Sequence, residues 1–398
     1  MTSPEMHLLN NRRMRTAEHV SPGHPDKACD QFADSILDEI LNVARSLRPA
    51  DRSHEDHPSM QRTAIEMLAK DHLVVISGEI RMSPNVMGKV DVSKVVRDQW
   101  RRIGYPDAEQ ITILDHLQVQ SSELQVNADR EGAGDQGIMV GFATNETASG
   151  LPLEYELARN LCIKIQDVKL QGIAPWICAD AKSQVTLGPS GAVERVVVAV
   201  QHLPEIDGVR EHRAIQKRIK AVLMEHVIEP VVGVEVNPDR VTVNGSGSFV
   251  VGGTIGDAGV VGRKIVVDAY GPSVPVGGGA YSGKDPTKVD RSAAYMARHI
   301  AKTAATMHIR DAKCVTVHIA YGIGLTQPEM IAAETDAGID ISDWVKARFP
   351  DLSPRAIADT LDLWNPGEEK GWRYRDTAAF GHYGRSQFPW ERLAKVSD

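Results

Sequence analysis

The chain is short of cysteine, of long apolar runs and of surplus positive charge, and each shortage excludes a class of protein. Its four cysteines, Cys29, Cys162, Cys178 and Cys314, lie far apart with no C-x-x-C pair. That argues against a zinc site and a disulfide framework, and leaves them as small buried hydrophobes. No apolar stretch approaches the roughly 20 residues of a membrane span, and residues 1–15 lack the apolar centre of a signal peptide. A cytoplasmic protein with no membrane partner is expected. Acidic residues outnumber basic ones, 53 to 45, for a net charge of -8. A broad nucleic-acid face is therefore not expected, and any polyphosphate must meet a local cluster of Lys and Arg. What is present is an ordinary globular composition, 42% hydrophobic and 25% charged over 398 residues, enough for two or three domains.

Residues 277–292 organise the rest. Gly277, Gly278, Gly279 and Gly283 give a backbone with no Cβ to hold a ligand away; Lys284 and Lys288 follow, and Asp290 closes the run. Glycines, cations and a carboxylate in that order suit a polyphosphate and its metal. Gly278 to Lys284 fits the G-x-x-x-x-G-K of a P-loop, but Asp285 stands where a Ser or Thr hydroxyl should meet Mg²⁺, so an ordinary P-loop is not expected. Taken alone, the run is equally a flexible loop ahead of a surface helix.

Other stretches of the same character precede it. Ser21, Pro22, Gly23 and Pro25 prevent regular structure, so His24, Asp26 and Lys27 sit on a rigid turn at the start of a helix, placed for phosphate and metal; Asp26 as a plain helix cap is the competing reading. In that helix Phe32, Ile36 and Ile40, with Leu37 and Leu41, form the apolar stripe, and Asp26, Asp30, Asp34 and Asp38 face water or the site. Residues 48–58 form a polar surface insertion carrying solvated His54 and His57. Glu66 and Glu79 lie in apolar strand sequence, where a carboxylate needs a partner or a cation. Gly132, Gly134 and Gly137 surround Asp135; Asp180 and Lys182 project to one side of an extended segment; Asp257, Arg263 and Lys264 belong to a second Gly-rich loop. For these the plain alternatives are a capped turn and a surface ion pair.

Periodicity predicts a buried strand at 73–80, helices at 92–102 and 155–168, a valine-rich strand at 194–202, a helix at 214–228, a strand at 265–270, a helix at 289–303 and a strand at 314–320. Strands near Leu73, Arg195 and Val315, each trailed by a helix, hint at three related units.

Together these segments resemble the S-adenosylmethionine synthetase family. The carriers are Gly23-His24-Pro25-Asp26-Lys27, Gly132-Ala133-Gly134-Asp135-Gln136-Gly137, Asp180-Ala181-Lys182-Ser183, Gly256-Asp257-Ala258-Gly259 with Gly262-Arg263-Lys264, the run 277–292, and Thr377-Ala378-Ala379-Phe380-Gly381-His382-Tyr383. They stand in the family's order over nearly the whole chain. The resemblance implies an α/β (α+β) fold of three similar domains related by pseudo-threefold symmetry, at residues 14–125, 131–251 and 252–390. It implies a homodimer with interfacial active sites, usually paired into a homotetramer, and the substrates ATP and L-methionine. Methionine sulfur attacks C5′ of ATP, giving S-adenosylmethionine and triphosphate, which is hydrolysed to phosphate and pyrophosphate before release.

By the same resemblance His24 stabilises the departing oxygen and triphosphate, and Lys182, Arg263, Lys264, Lys284 and Lys288 grip the phosphates. Asp26 and Asp290 hold two Mg²⁺ per site and Glu66 one K⁺. Glu79, Asp135 and Gln125 meet methionine or the nucleoside, as do Asp180, Phe249 and Asp257, with Ala280 among the ATP contacts. The chain departs from the pattern in three places. Pro22 replaces a usual Glu, the stretch between Gln125 and Gly132 is several residues shorter than the familiar gating loop, and residues 48–58 are longer. The shortening leaves the alignment of Gln125 open. Two other classes fit parts of the sequence: a different ATP-dependent phosphotransferase, which would release a phosphorylated product, and a non-catalytic relative that keeps the fold.

Overall fold

The computed structural model describes residues 13–48, 50, 52–119, 132–233 and 236–394; Gln125 and the shortened stretch before Gly132 lie outside them. Strand β1 (Arg15–Val20) leads through the His24 turn into helix α1 (Pro25–Ser46), followed by β2 (Arg62–Lys70), β3 (Leu73–Arg81), α2 (Val92–Ile103) and β4 (Thr112–Val119). Then come β5 (Gly137–Thr144), α3 (Leu153–Leu170), β6 (Ile177–Leu187), β7 (Val193–His202), α4 (His212–Leu223) and β8 (Val241–Val243). The last third holds β9 (Gly259–Val260), α5 (Val289–Thr306), β10 (Cys314–Tyr321) and β11 (Met330–Thr335).

Among the described residues three sheets result, with strand orders β9-β2-β3-β4, β1-β6-β7-β8 and β5-β10-β11. The first two share a plan: an antiparallel hairpin, a helical crossover, and a final strand parallel to the second. In each sheet the first-named strand comes from elsewhere in the sequence and pairs antiparallel: β9 on β2, β1 on β6, β5 on β10. The sheets are thus laced together, and the loops beside the borrowed strands are brought to the junctions between them.

Helix α1 starts on His24 as N-cap with Pro25 in its first turn, where a missing N–H costs nothing. It serves two cores. Phe32, Ile36 and Ile40 pack with Ile65, Met67 and Ile76 of the first sheet, while Leu37 and Leu41 join Ala293, Ala297 and Ile300 of α5. Helix α2 is framed by Asp91, whose side chain accepts from Lys94 N, and by Gly104 at φ 91°.

Several expectations are corrected. Residues 265–270 form no strand: Ile265–Asp268 is a helical turn, with Asp268 N donating to Lys264 O at 2.8 Å. The carbonyls a neighbouring strand would need are already used, Val267 O by Tyr155 Oη and Asp268 O by His382 N. Asp30, Asp34 and Asp38 face neither water nor open site but are buried, because each receives backbone N–H groups from another segment: Gly262, Gly283, and Tyr374 with Arg375. In the third unit β11 intervenes before the helix Ser342–Arg348, so the repeat suggested around Val315 is incomplete there. Cys29 and Cys162 are buried, but Cys178 and Cys314 are only half-buried. The insertion is also built in: Asp56 is buried and accepts from Ser53 N at 2.7 Å and Ser83 Oγ at 2.5 Å.

Candidate active site

The His24 turn is fastened to β6. Val20 pairs with Lys182, Ser21 Oγ donates to Ala179 O at 2.7 Å, and Ala181 N donates to Ser21 Oγ at 2.8 Å. Gly23 is obligatory, since a Cβ there would lie 2.3 Å from Ala179 O. His24 Nδ1 accepts from Asp26 N at 3.2 Å, so the neutral ring carries its proton on Nε2. Burial, then the charges of Lys264 and Lys182, hold the imidazole pKa down to about 3 against the pull of Asp26 and Asp257. At neutral pH His24 is therefore an uncharged hydrogen-bond donor flanked by ammonium groups.

The second Gly-rich loop closes over the same turn. Asp26 Oδ2 pairs with Lys264 Nζ at 2.6 Å, Oδ1 accepts from Val260 N at 2.9 Å, and Arg263 Nη1 stands 3.7 Å away. Gly259 must be glycine, because a Cβ would come within 2.1 Å of Pro25 O. Asp180 Oδ2 accepts from Gly253 N at 3.0 Å while Oδ1 is buried without a partner among the described residues; burial pushes its carboxyl up to about 6. Asp257 is exposed and its charge reaches both His24 and Asp180. Phe249 is fixed through its backbone, its O accepting from His202 N at 2.9 Å. Lys27 takes no part at the surface: it is buried between Asp30 at 2.9 Å and Asp268.

The run 277–292 forms the other half. Asp290 Oδ2 meets Lys284 Nζ at 2.6 Å and Oδ1 accepts from Gly279 N at 3.2 Å. Lys288 Nζ pairs with Asp285 Oδ2 at 2.7 Å. Asp285, the residue that spoils the P-loop, is wholly buried and also accepts from Thr63 N at 2.8 Å and Thr287 Oγ1 at 2.6 Å; it ties the loop to β2. Arg291 grips Asp34 through both nitrogens at 2.7 Å and donates to Lys284 O at 3.0 Å, while the same Asp34 accepts from Gly283 N at 2.9 Å. Sequence reasoning passed over Asp34, Asp285 and Arg291 as site-building residues. The available signal was the i, i+4 aspartate ladder on α1 and the misfit at Asp285.

The two halves meet where Gly262 packs on Ala280, too close for any Cβ. Glu66 and Glu79 lie on the outward face of the first sheet, exposed in this chain rather than embedded. Partial burial raises the Glu66 carboxyl, Lys284 opposes that, and Asp30 and Glu79 add to it. Asp135, also exposed, stands just before Gly137, whose Cβ position is 3.3 Å from Asp290 Oδ1. The structure thus gathers His24, Asp26, Asp180, Lys182, Asp257, Arg263 and Lys264 on one side. It gathers Glu66, Lys284, Lys288 and Asp290 on the other.

Residues 12–125, 130–249 and 251–392 match the N-terminal, central and C-terminal domains of S-adenosylmethionine synthetase. The chain belongs to the S-adenosylmethionine synthetase family. It is 39% identical to the S-adenosylmethionine synthase of Thermosynechococcus vestitus, with 97% of each chain covered. The enzymes of that name from Petrotoga mobilis and Deinococcus radiodurans are each 38% identical, covering 96% and 97% of this chain and 97% and 96% of their own. The protein is accordingly a methionine adenosyltransferase: methionine sulfur attacks C5′ of ATP, and the triphosphate so released is cleaved to phosphate and pyrophosphate. The family is metal-dependent. Among the described residues no group of three or more His, Cys, Asp or Glu could hold a metal by itself. No helix among them is long and apolar enough to cross a membrane.

Proposed function

We propose that adenosyl transfer runs through His24 and the two facing clusters of lysines, with the whole triphosphate as leaving group. The reading rests on one observation above others: the buried His24 keeps its proton on Nε2, with no partner there among the described residues, while Lys264 and Lys182 exert the strongest charge effects on its ring. As the C5′–O bond breaks, negative charge grows on the oxygen and the phosphates behind it. Donors fixed beforehand stabilise that charge more than they stabilise ATP. His24 donates to the departing O5′; Lys182, Arg263, Lys264, Lys284 and Lys288 take the phosphate oxygens. No general base is needed, because the attacking thioether sulfur carries no proton.

Asp26 and Asp290 fit one Mg²⁺ each. Both already hold a lysine ammonium at 2.6 Å, so each presents oxygen to a cation at the mouth of a Gly-rich loop. Bound magnesium supplies further neutralisation of phosphate charge. Glu66, with Glu79 nearby and its carboxyl raised by partial burial, fits one K⁺. Asp180, Asp257, Phe249, Glu79 and Asp135 border the nucleoside or the methionine, and Ala280 the ATP. Gln125 lies outside the described residues. The assignment extends to segments at 14–125, 131–251 and 252–390 and to a cytoplasmic enzyme.

The outward face of the first sheet supports a homodimer, paired further into a homotetramer. Leu114, Val75 and Leu68 stand in one cross-strand row, with Leu68 41% and Leu114 44% exposed beside Glu66. An apolar row of this kind calls for a second protein surface. The chain should be incubated with ATP, methionine, Mg²⁺ and K⁺ and its products weighed by mass spectrometry. S-adenosylmethionine with phosphate and pyrophosphate is expected; a phosphorylated methionine would indicate a phosphotransferase instead, and no product a non-catalytic relative.

A further inference from the structure

A cavity of about 410 Å³ lies where α2, α3, β6 and residues 375–380 meet. Its polar wall carries Arg102, Lys169 and Arg375; its apolar wall includes Ile165, Leu170 and Phe380. Among the described residues these three cations face one carboxylate on the wall, Asp376, and Arg375 makes only a long ion pair with it. Asp376 Oδ2 accepts from Arg373 N at 2.8 Å, and its Oδ1 is 3.9 Å from Arg375 Nε, beyond hydrogen-bond reach. Arg375 Nε and Gln166 Oε1, both of residues on the wall, are buried without hydrogen-bond partners among the described residues. Lys169 and Arg375 are both held below their usual pKa range, by burial first; at Arg375 the charge of Arg102 comes next. Three cations drawn onto a partly dry wall with too little opposing charge are destabilised there, and a bound anion offsets that cost.

We propose that this cavity binds a small molecule with an anionic head, carboxylate or phosphate, and an apolar body. The head meets Arg375, Lys169 and Arg102, and the body lies against Ile165, Leu170 and Phe380. A volume of this size suits a compact ligand at a junction between segments. The remaining wall includes Pro22, Gly23 and Ala179, so the occupant sits behind the turn that presents His24, on the side away from the phosphate-gripping lysines. This site is separate from the catalytic one, and its failure would leave the adenosyltransferase reading untouched.

Phenyl phosphate and benzoate, which share an aromatic body and differ in the head, are titrated calorimetrically into the full chain and its variants. At least one should bind the unmodified protein. Its Kd should rise about tenfold or more in Lys169→Met and in Arg375→Met, the loss of one charge-assisted contact, and stay unchanged in Lys284→Ala. Preference for one probe identifies the head. In the unmodified chain the same probe should slow alkylation of Cys178, which lines the cavity and is half-buried, as read by peptide mass mapping. No binding at millimolar concentration, unchanged Cys178 labelling, or binding lost in Lys284→Ala and kept in Lys169→Met would each overturn the proposal.

Discussion

Three features decide what His24 can do: Nδ1 is engaged by the Asp26 amide, the ring is buried, and the charges of Lys264 and Lys182 oppose its protonation. A base whose folded pKa is about 3, against 6.5 ordinarily, contributes stability that is fully present above pH 6.5 and fades as pH falls toward 3. The imidazole should accordingly stay neutral from pH 8 to about pH 4 in an NMR titration of the folded enzyme; a midpoint near 6.5 would contradict the assignment. On the proposed role of Lys284 as a donor to the developing charge, Lys284→Ala should lower kcat about 100- to 1000-fold with little change in the methionine KM, measured by steady-state kinetics. At this scale the sequence was informative about types and order: glycines ahead of lysines, and acids beside them. It could not reveal that Asp285 turns inward to hold Thr63 N, since a carboxylate after Gly-Lys reads equally as ligand and as strut.

Along α1 the polar stripe is as structural as the apolar one. Asp30, Asp34 and Asp38 accept backbone N–H groups from the segments that bear the site. Their burial was illegible because an isolated amphipathic helix with an acidic face ordinarily turns that face to water. Arg291→Met would strand the Asp34 carboxylate in the interior, at a cost of about 3–5 kcal/mol, seen as a lower urea midpoint. Adding Asp34→Leu should recover the charge penalty but leave Gly283 N unpaired, so kcat stays low while much of the stability returns. Full recovery of both would show that the pair does not set the loop. The run at 265–270 taught the opposite lesson. Its valines have strand propensity, but the carbonyls are claimed by Tyr155 and His382, and tertiary bonding overrides local preference.

For the molecule as a whole, α/β character and the approximate places of most strands and helices followed from periodicity. The exchange of β1, β5 and β9 between sheets did not, because pairing between segments far apart in the chain leaves no local pattern. The setting of Glu66 was hidden for a related reason. Its strand reads as apolar sequence, whereas only Ile65, Met67 and Ala69 face α1, and the other face, with Glu66, is exposed. If the proposed dimer forms through this face, Leu114→Lys should split it in sedimentation experiments and remove activity with it; a monomer that kept full turnover would place the site within one chain.

The most direct test of the account is the identity of the first phosphate-containing product. Rapid quenching of a single turnover with γ-labelled ATP, methionine and Mg²⁺ should yield enzyme-bound triphosphate in step with S-adenosylmethionine, with labelled cleavage product only afterwards. Labelled phosphate or pyrophosphate appearing before any triphosphate would contradict expulsion of the chain in one piece, and with it the roles of His24 and the lysines as donors to a departing triphosphate.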